Sequence, residues 1–133
     1  MKFETIVNNA VYELTHDNDF YISHVKYDED NFGNISIMLC STNQIKLRFI
    51  KDRGNFWCEL SMNDEWFYIE DIFQIIGIEF IDSSNDFIDF ITKTSVSIKY
   101  NLQKIIKAFN HNNYKLTIKK IKLLQLNRAQ NLF

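Results

Sequence analysis

The stretch that decides the fold covers residues 45–60 and reads IKLRFIKDRGNFWCEL. Its first half alternates apolar and charged side chains in the order Ile45, Lys46, Leu47, Arg48 and Phe49. This period of two is typical of a β-strand with one buried and one solvent-facing side. A turn at 51–54, containing Arg53-Gly54, leads into a second alternating run, where Trp57 and Glu59 oppose the apolar positions. We therefore predict a β-hairpin whose Lys46 and Arg48 face outward.

Two further strands precede this hairpin. Residues 20–27 form the first, and the alternating run 35–39 forms the second. A polar turn at 28–34 joins these two strands, and Ser41-Thr42-Asn43 joins the second strand to the hairpin. Because turns this short connect antiparallel neighbours, we predict a four-stranded antiparallel β-meander.

Helical periods flank the predicted sheet on both sides. Residues 2–15 carry apolar side chains at the i, i+3, i+4, i+7 spacing of an amphipathic helix. Residues 69–76 predict a short helix that ends at Gly77, a suitable C′ residue. Further helical patterns run from Phe87 to Ile91 and from Ile98 to Phe109.

Two features of the C-terminal half leave alternatives open. Ser83 and Ser84 are both candidate N-caps for the helix that carries Phe87. Residues 114–127 fit a strand as well as a helix, and their length and their content of Lys and Leu favour the helix. Together these patterns predict one α+β domain over residues 1–133, with an N-terminal helix, the meander and C-terminal helices packed on the sheet.

Composition limits the class of protein. The 133 residues are 46% hydrophobic, which is enough for one folded core. No run approaches the roughly 18 to 20 apolar residues of a membrane span. Glu4 and Glu13 interrupt the region where an export signal has its apolar core, so we expect a cytoplasmic protein. Cys40 and Cys58 lie in separate apolar runs and are interpreted as reduced thiols, with a structural disulfide as the alternative.

Residues that commonly carry catalysis do not form a known motif. The glycines stand alone at 33, 54 and 77, which excludes the glycine-rich loops that cradle phosphates. The three histidines show no metal-ligand spacing, and no nucleophile elbow is present. Asp64-Glu65 and Glu70-Asp71 are more typical of a turn and a helix start than of acid–base chemistry. We therefore predict a protein with no catalytic residues, no metal and no cofactor.

Charge is distributed unevenly along the chain, although the formal net charge is only −2. The last forty residues carry eight basic and no acidic side chains. A basic surface of this kind favours a nucleic-acid partner. Its candidate phosphate contacts are Lys115, Lys119, Lys120, Lys122 and Arg128. The alternative to a nucleic-acid site is that these side chains form the solvated face of the terminal helix and bind no partner.

Acidic groups beside aromatic residues suggest a different partner. Carboxylates steer a basic protein, and an aromatic anchor supplies contact area. The candidate partner-binding residues are Asp28, Glu29, Asp30, Asp64, Glu65 and Trp66. Both acidic segments also suit ordinary solvated loops that bind no partner.

The middle of the chain resembles a group of bacterial immunity proteins encoded beside polymorphic toxins, including those of contact-dependent growth inhibition systems. The resemblance is carried by the strand and turn of 45–60, by Asp64-Glu65-Trp66-Phe67, and by the helix from Asp71 to Gly77. It implies an antidote that binds one cognate toxin, often a basic nuclease, and blocks it stoichiometrically. No individual contact residue is implied by the motif.

Overall fold

The computed structural model of the chain describes residues 2–30, 33–80 and 84–131. Its helices are α1 (Phe3–Ala10), α2 (Tyr12–Thr15), α3 (Ile69–Ile75), α4 (Phe87–Tyr100), α5 (Leu102–Ala108) and α6 (Tyr114–Asn131). Its strands are β1 (Phe20–Asp28), β2 (Asn34–Ser41), β3 (Lys46–Asp52), β4 (Asn55–Met62) and β5 (Glu65–Tyr68). The α+β class, the N-terminal helix, the antiparallel sheet and the C-terminal helices are confirmed.

The five strands lie in the order β1-β2-β3-β4-β5, and each pairs antiparallel with its neighbour. The hairpin predicted from 45–60 is present as β3 and β4. At its tip, Arg53 and Gly54 both have positive φ angles, of 52° and 86°. This backbone matches the twist of the strands it connects. The amide of Arg53 also donates to Asn34 Oδ1 at 2.9 Å, which ties the hairpin tip to the start of β2.

The sheet has one strand more than the four predicted. Residues 65–68 were not assigned to a strand, but they pair with β4 from Glu65↔Met62 to Tyr68↔Glu59. Asn63 and Asp64 make the connecting turn with φ angles of 56° and 64°. Asn and Asp tolerate this left-handed conformation, which permits a two-residue hairpin without glycine. A four-residue strand is too short to show a period of its own.

One face of the sheet carries the hydrophobic core. Ile37, Leu47, Phe49 and Leu60 are fully buried there, as the period-two pattern predicts. Helical residues complete the same core cluster; they include Val7, Leu14, Phe90, Ile98, Ile105 and Ile121. The helices therefore pack on this face of the sheet.

The helix boundaries differ from the sequence prediction at three places. The N-terminal helix is interrupted at Val11. The two helices predicted over 87–91 and 98–109 were expected to divide before Ile98. Instead α4 continues through Ile98, and the break between α4 and α5 lies at Asn101. The N-cap of α4 is Asp86, whose side chain accepts from the Asp89 amide at 2.8 Å, so the candidate Ser84 is not the N-cap. Ser83 lies outside the described residues.

Gly77 ends α3 as predicted. With a φ of 79°, it allows the Ile78 amide to donate to the Phe73 carbonyl at 2.8 Å. Its own amide donates to Gln74 O at 3.3 Å, and together these bonds form a Schellman motif. The ambiguous final segment is a helix, and Arg128 of α6 pairs with the buried carboxylate of Asp71 in α3.

Candidate protein-docking surface

The strand residues that alternate with the core residues form the second face of the sheet, which we call the open face. Its central row crosses all five strands through consecutive antiparallel pairs. The row consists of His24, Met38, Arg48, Glu59 and Tyr68. Cross-strand neighbours of this kind lie about 5 Å apart at their Cβ atoms, so their side chains meet.

Arg48 and Glu59 form a two-pronged ion pair at the centre of the open face. Arg48 Nε donates to Glu59 Oε1 at 3.0 Å, and Arg48 Nη2 donates to Glu59 Oε2 at 3.1 Å. The indole Nε1 of Trp57 donates to Glu59 Oε1 at 3.0 Å. Charge-assisted bonds with this parallel geometry are stronger and more directional than a single contact. The Glu59 carboxylate is therefore fixed by three donors.

Trp66 extends the cluster onto β5. The guanidinium of Arg48 lies 3.9 Å from the centroid of the Trp66 ring, although β4 runs between their strands. Ser61 occupies the intervening position, because it pairs with both Lys46 and Trp66. Its small side chain leaves room for Arg48 to reach across. We call Arg48, Trp57, Glu59 and Trp66 the Arg–Trp cluster.

The Arg–Trp cluster is rigid and partly accessible, which suits recognition. The Arg48 side chain is 30% exposed and that of Glu59 is 14% exposed. Tyr68 lies opposite Glu59 and is 46% exposed, and Tyr21, on the edge strand β1 of the same face, is 59% exposed. Trp, Tyr and Arg are the residues most enriched where protein interfaces gain their affinity. Side chains that are already fixed lose little conformational entropy when a partner binds.

The predicted partner-binding residues fall into two separated groups. Asp28 ends β1, and Glu29 and Asp30 are exposed in the turn that follows. Asp64 and Glu65 lie at the start of β5, at the opposite end of the sheet. β1 and β5 are also the two edge strands, four inter-strand spacings or about 19 Å apart. The structure thus does not bring the two acidic groups together.

Within the second acidic group the three residues have different environments. The Asp64 side chain is 96% exposed, and its carboxylate lies 4.0 Å from Lys46 Nζ. Glu65 lies 3.5 Å from Lys122 Nζ of α6. Trp66 belongs to the Arg–Trp cluster. Asp64 and Trp66 therefore place an exposed carboxylate, loosely paired with Lys46, two residues from an aromatic anchor.

The two cysteines and the buried Asp71 are accounted for by their places in the fold. Cys40 and Cys58 are free thiols, and burial raises the pKa of Cys58 well above its ordinary value. Asp71 is buried against Arg128 and Gln125. Within residues 2–30, 33–80 and 84–131, no group of His, Cys, Asp and Glu side chains is arranged to hold a metal ion. Among the described residues, no helix combines the length and apolar character needed to cross a lipid bilayer.

Sequence reasoning placed Arg48, Trp57 and Glu59 on the outward side of their strands but assigned them no function. The signal that was available is the alternation in 45–60, which puts all three on one face. The missing element was β5, because Trp66 joins that face only through its pairing with Ser61. A contact across an intervening strand has no signature in local sequence.

Comparison of the chain with protein-family models, curated proteins and solved structures gave no match.

Proposed function

We propose that this protein is a cytoplasmic immunity protein that neutralises a cognate bacterial toxin by stoichiometric binding, without catalysis. The observation that carries the proposal is the Arg–Trp cluster, a fixed group of interface-type side chains at the centre of a sheet face opposite the helices. The resemblance of residues 45–77 to immunity proteins supplies the class of partner.

The open face provides the contact area. In the central row Tyr68 lies opposite Glu59 and Met38 lies opposite Arg48, and Tyr21 presents a further exposed ring on β1. Aromatic rings add contact area at low entropic cost, while the ion pair holds the side chains around it in one arrangement. The Arg48–Glu59 pair need not open, because a partner can pack against the exposed rings while the three donors from Arg48 and Trp57 stay in place.

Acidic residues at the corner of this face supply steering. Asp64 is almost fully exposed next to Trp66, so its charge is available to a basic toxin surface. Charges at the rim of an interface mainly raise the association rate and its dependence on salt. Asp28, Glu29 and Asp30 lie at the far corner and contribute at longer range.

The test uses the toxin domain encoded beside this chain. Isothermal titration calorimetry should give one-to-one binding, and coexpression should protect cells that produce the toxin. Tyr68→Ala is expected to weaken binding at least tenfold, because it removes an exposed aromatic anchor from the open face. Tyr100→Ala is the matched control, since Tyr100 is 85% exposed on α4.

Two outcomes would overturn the proposal. One is the absence of both binding and protection. The other is equal loss of affinity in Tyr68→Ala and Tyr100→Ala, which would remove the open face from the interface. Asp64→Asn provides a separate check on steering, because it should lower the association rate at low salt and leave the dissociation rate nearly unchanged.

A further inference from the structure

A second surface, remote from the open face, lies where the last turn of α3 meets α5 and α6. It contains a groove of about 260 Å³ with an apolar floor and a basic rim, which we call the α5–α6 groove. We call its apolar lining, which is formed by Ile75, Ile76, Ala108 and the half-exposed Leu116, the floor. The rim carries Lys104, Lys107 and Lys120.

Hydrogen bonds from Asn113 and from the first turn of α6 to the end of α5 hold the α5–α6 groove in shape. The hydroxyl of Thr117 donates to the Ala108 carbonyl, and Asn113 Nδ2 donates to the Lys107 carbonyl at 2.9 Å. Both acceptors are carbonyls at the C-terminal end of α5, which no residue of that helix can satisfy. The groove is therefore preformed, and a ligand would not have to order it.

The basic side chains of the last forty residues divide into two sets. Lys99, Lys122 and Arg128 pair with carboxylates of the N-terminal segment, β5 and α3. In the part of the chain that the structure describes, the others form no ion pair with a carboxylate. This second set consists of Lys104, Lys107, Lys115, Lys119 and Lys120. The groove therefore lies within an uncompensated positive surface.

Exposed leucines lie among these lysines. Leu116 and Leu123 are both 55% exposed and, seven residues apart, they share one face of α6. An apolar strip bordered by cations differs from a phosphate-binding surface, which has little use for aliphatic side chains. The described lining of the groove also contains no aromatic ring on which a base would stack.

We propose that the α5–α6 groove binds an acidic segment of a partner protein, with one large apolar side chain on the floor and flanking carboxylates on Lys104, Lys107 and Lys120. The charge of the rim selects the acidic flanks, and the floor of isoleucine, alanine and leucine selects the apolar residue. This site is separate from the open face and does not rest on the proposed toxin-binding role.

The test is fluorescence anisotropy on the full chain with a labelled peptide in which a central Phe is flanked by Glu residues. Two further probes are the same peptide with Ser in place of Phe and a labelled single-stranded oligonucleotide. We expect the Phe peptide to bind at low salt and the Ser peptide to bind about tenfold more weakly. The ratio reflects the apolar contact, which contributes independently of charge.

Charge reversals at the rim localise the site. Lys104→Glu, Lys107→Glu and Lys120→Glu should each weaken binding of the Phe peptide about tenfold. The control Lys26→Glu makes the same charge change on the edge strand β1, away from the groove. It should weaken binding of the Phe peptide less than twofold. Each variant is checked by circular dichroism, and amide shifts of Ala108 and Thr117 on titration of the unmodified chain give a readout without mutation.

Three results would overturn this assignment. The first is no binding of the Phe peptide at low salt. The second is equal binding of the Phe and Ser peptides, which would reduce the groove to a patch of charge. The third is tighter binding of the oligonucleotide with a steep salt dependence, which would assign the lysines to nucleic acid.

Discussion

The guanidinium of Arg48 lies 3.9 Å from the centre of the Trp66 ring, across β4, where the residue opposite Trp66 is the small Ser61. This contact joins a side chain of β3 to a side chain of the edge strand β5, on the side of the sheet opposite the helices. It is worth about 1 kcal/mol as a cation–π interaction at a partly exposed site. Its further effect is to fix two large side chains of the proposed docking surface.

The Arg48–Glu59 pair should contribute measurably to stability. Arg48→Ala is expected to lower the free energy of unfolding by about 2 kcal/mol, because it leaves a carboxylate that is only 14% exposed with one donor, Trp57. Urea denaturation measures the loss. A double-mutant cycle with Glu59→Gln should give a coupling energy well above that of an exposed ion pair. Additive effects would show that the two side chains act independently.

The Asp71–Arg128 pair should respond unequally to removal of its two partners. The Asp71 side chain is 1% exposed and that of Arg128 is 47% exposed. Arg128→Ala leaves a buried charge and should cost about 3 kcal/mol of unfolding free energy. Asp71→Asn leaves Arg128 partly in water and bound to Gln74, and should cost less. Chemical denaturation compares them; an equal or reversed order would contradict this assignment.

Gly77 should resist substitution by residues that avoid a left-handed backbone. Space is not limiting, since a Cβ at Gly77 meets no atom within 4 Å, but its φ is 79°. Gly77→Ala is therefore expected to lower the unfolding free energy by about 1 kcal/mol. Gly77→Asn is the matched control and should lose less, because Asn tolerates this conformation. Thermal denaturation of the two variants should rank them in that order.

Lys99 should make stability depend on pH at both ends of the range. It bonds the carboxylates of Asp17 and Asp19; these bonds lower the pKa of Asp17 and raise the pKa of Lys99. Because the Asp17 pKa is lowered on folding, its ionised carboxylate stabilises the folded state at pH values above the ordinary pKa of 3.8. This stabilisation is lost as the pH falls through the pKa of the folded state. Because the Lys99 pKa is raised on folding, its ammonium group stabilises the folded state at pH values below the ordinary pKa of 10.5. This stabilisation is lost as the pH rises through the pKa of the folded state.

The corresponding variant is Lys99→Met. The stability difference between the unmodified chain and Lys99→Met should be constant between about pH 5 and pH 9 and should shrink below pH 4. Urea denaturation across this range measures it. Lys119→Met serves as the control, since Lys119 is exposed on α6, and its small difference should not vary with acidification. An acid-independent Lys99→Met difference would exclude the predicted linkage.

Local patterns of sequence predicted most of the elements. The alternation in 45–60 indicated both the hairpin and which of its side chains are buried, because a strand displays successive residues on opposite faces. Gly77 identified the end of α3, since few other residues adopt its backbone conformation. Strand β5 and the break at Asn101 were missed, because a four-residue strand and continuous apolar periods give weak local signals.

The candidate docking site was predicted only in part. Trp66 and Asp64 were identified as an aromatic anchor beside a carboxylate, and they do lie at one corner of the open face. Asp28, Glu29 and Asp30 were grouped with them by composition, yet strand order puts them at the opposite corner. Charge along the chain does not specify distance in space.

The sequence by itself determined that this protein is an α+β fold with a sheet buried on one face, because side-chain periodicity and turn chemistry act over a few neighbouring residues. It also determined that the C-terminal region is basic. Only the tertiary structure decided which charges remain unpaired, and that Arg48, Trp57, Glu59 and Trp66 form one cluster. Those relationships depend on register across β3, β4 and β5, which is fixed by the packing of the whole sheet against its helices.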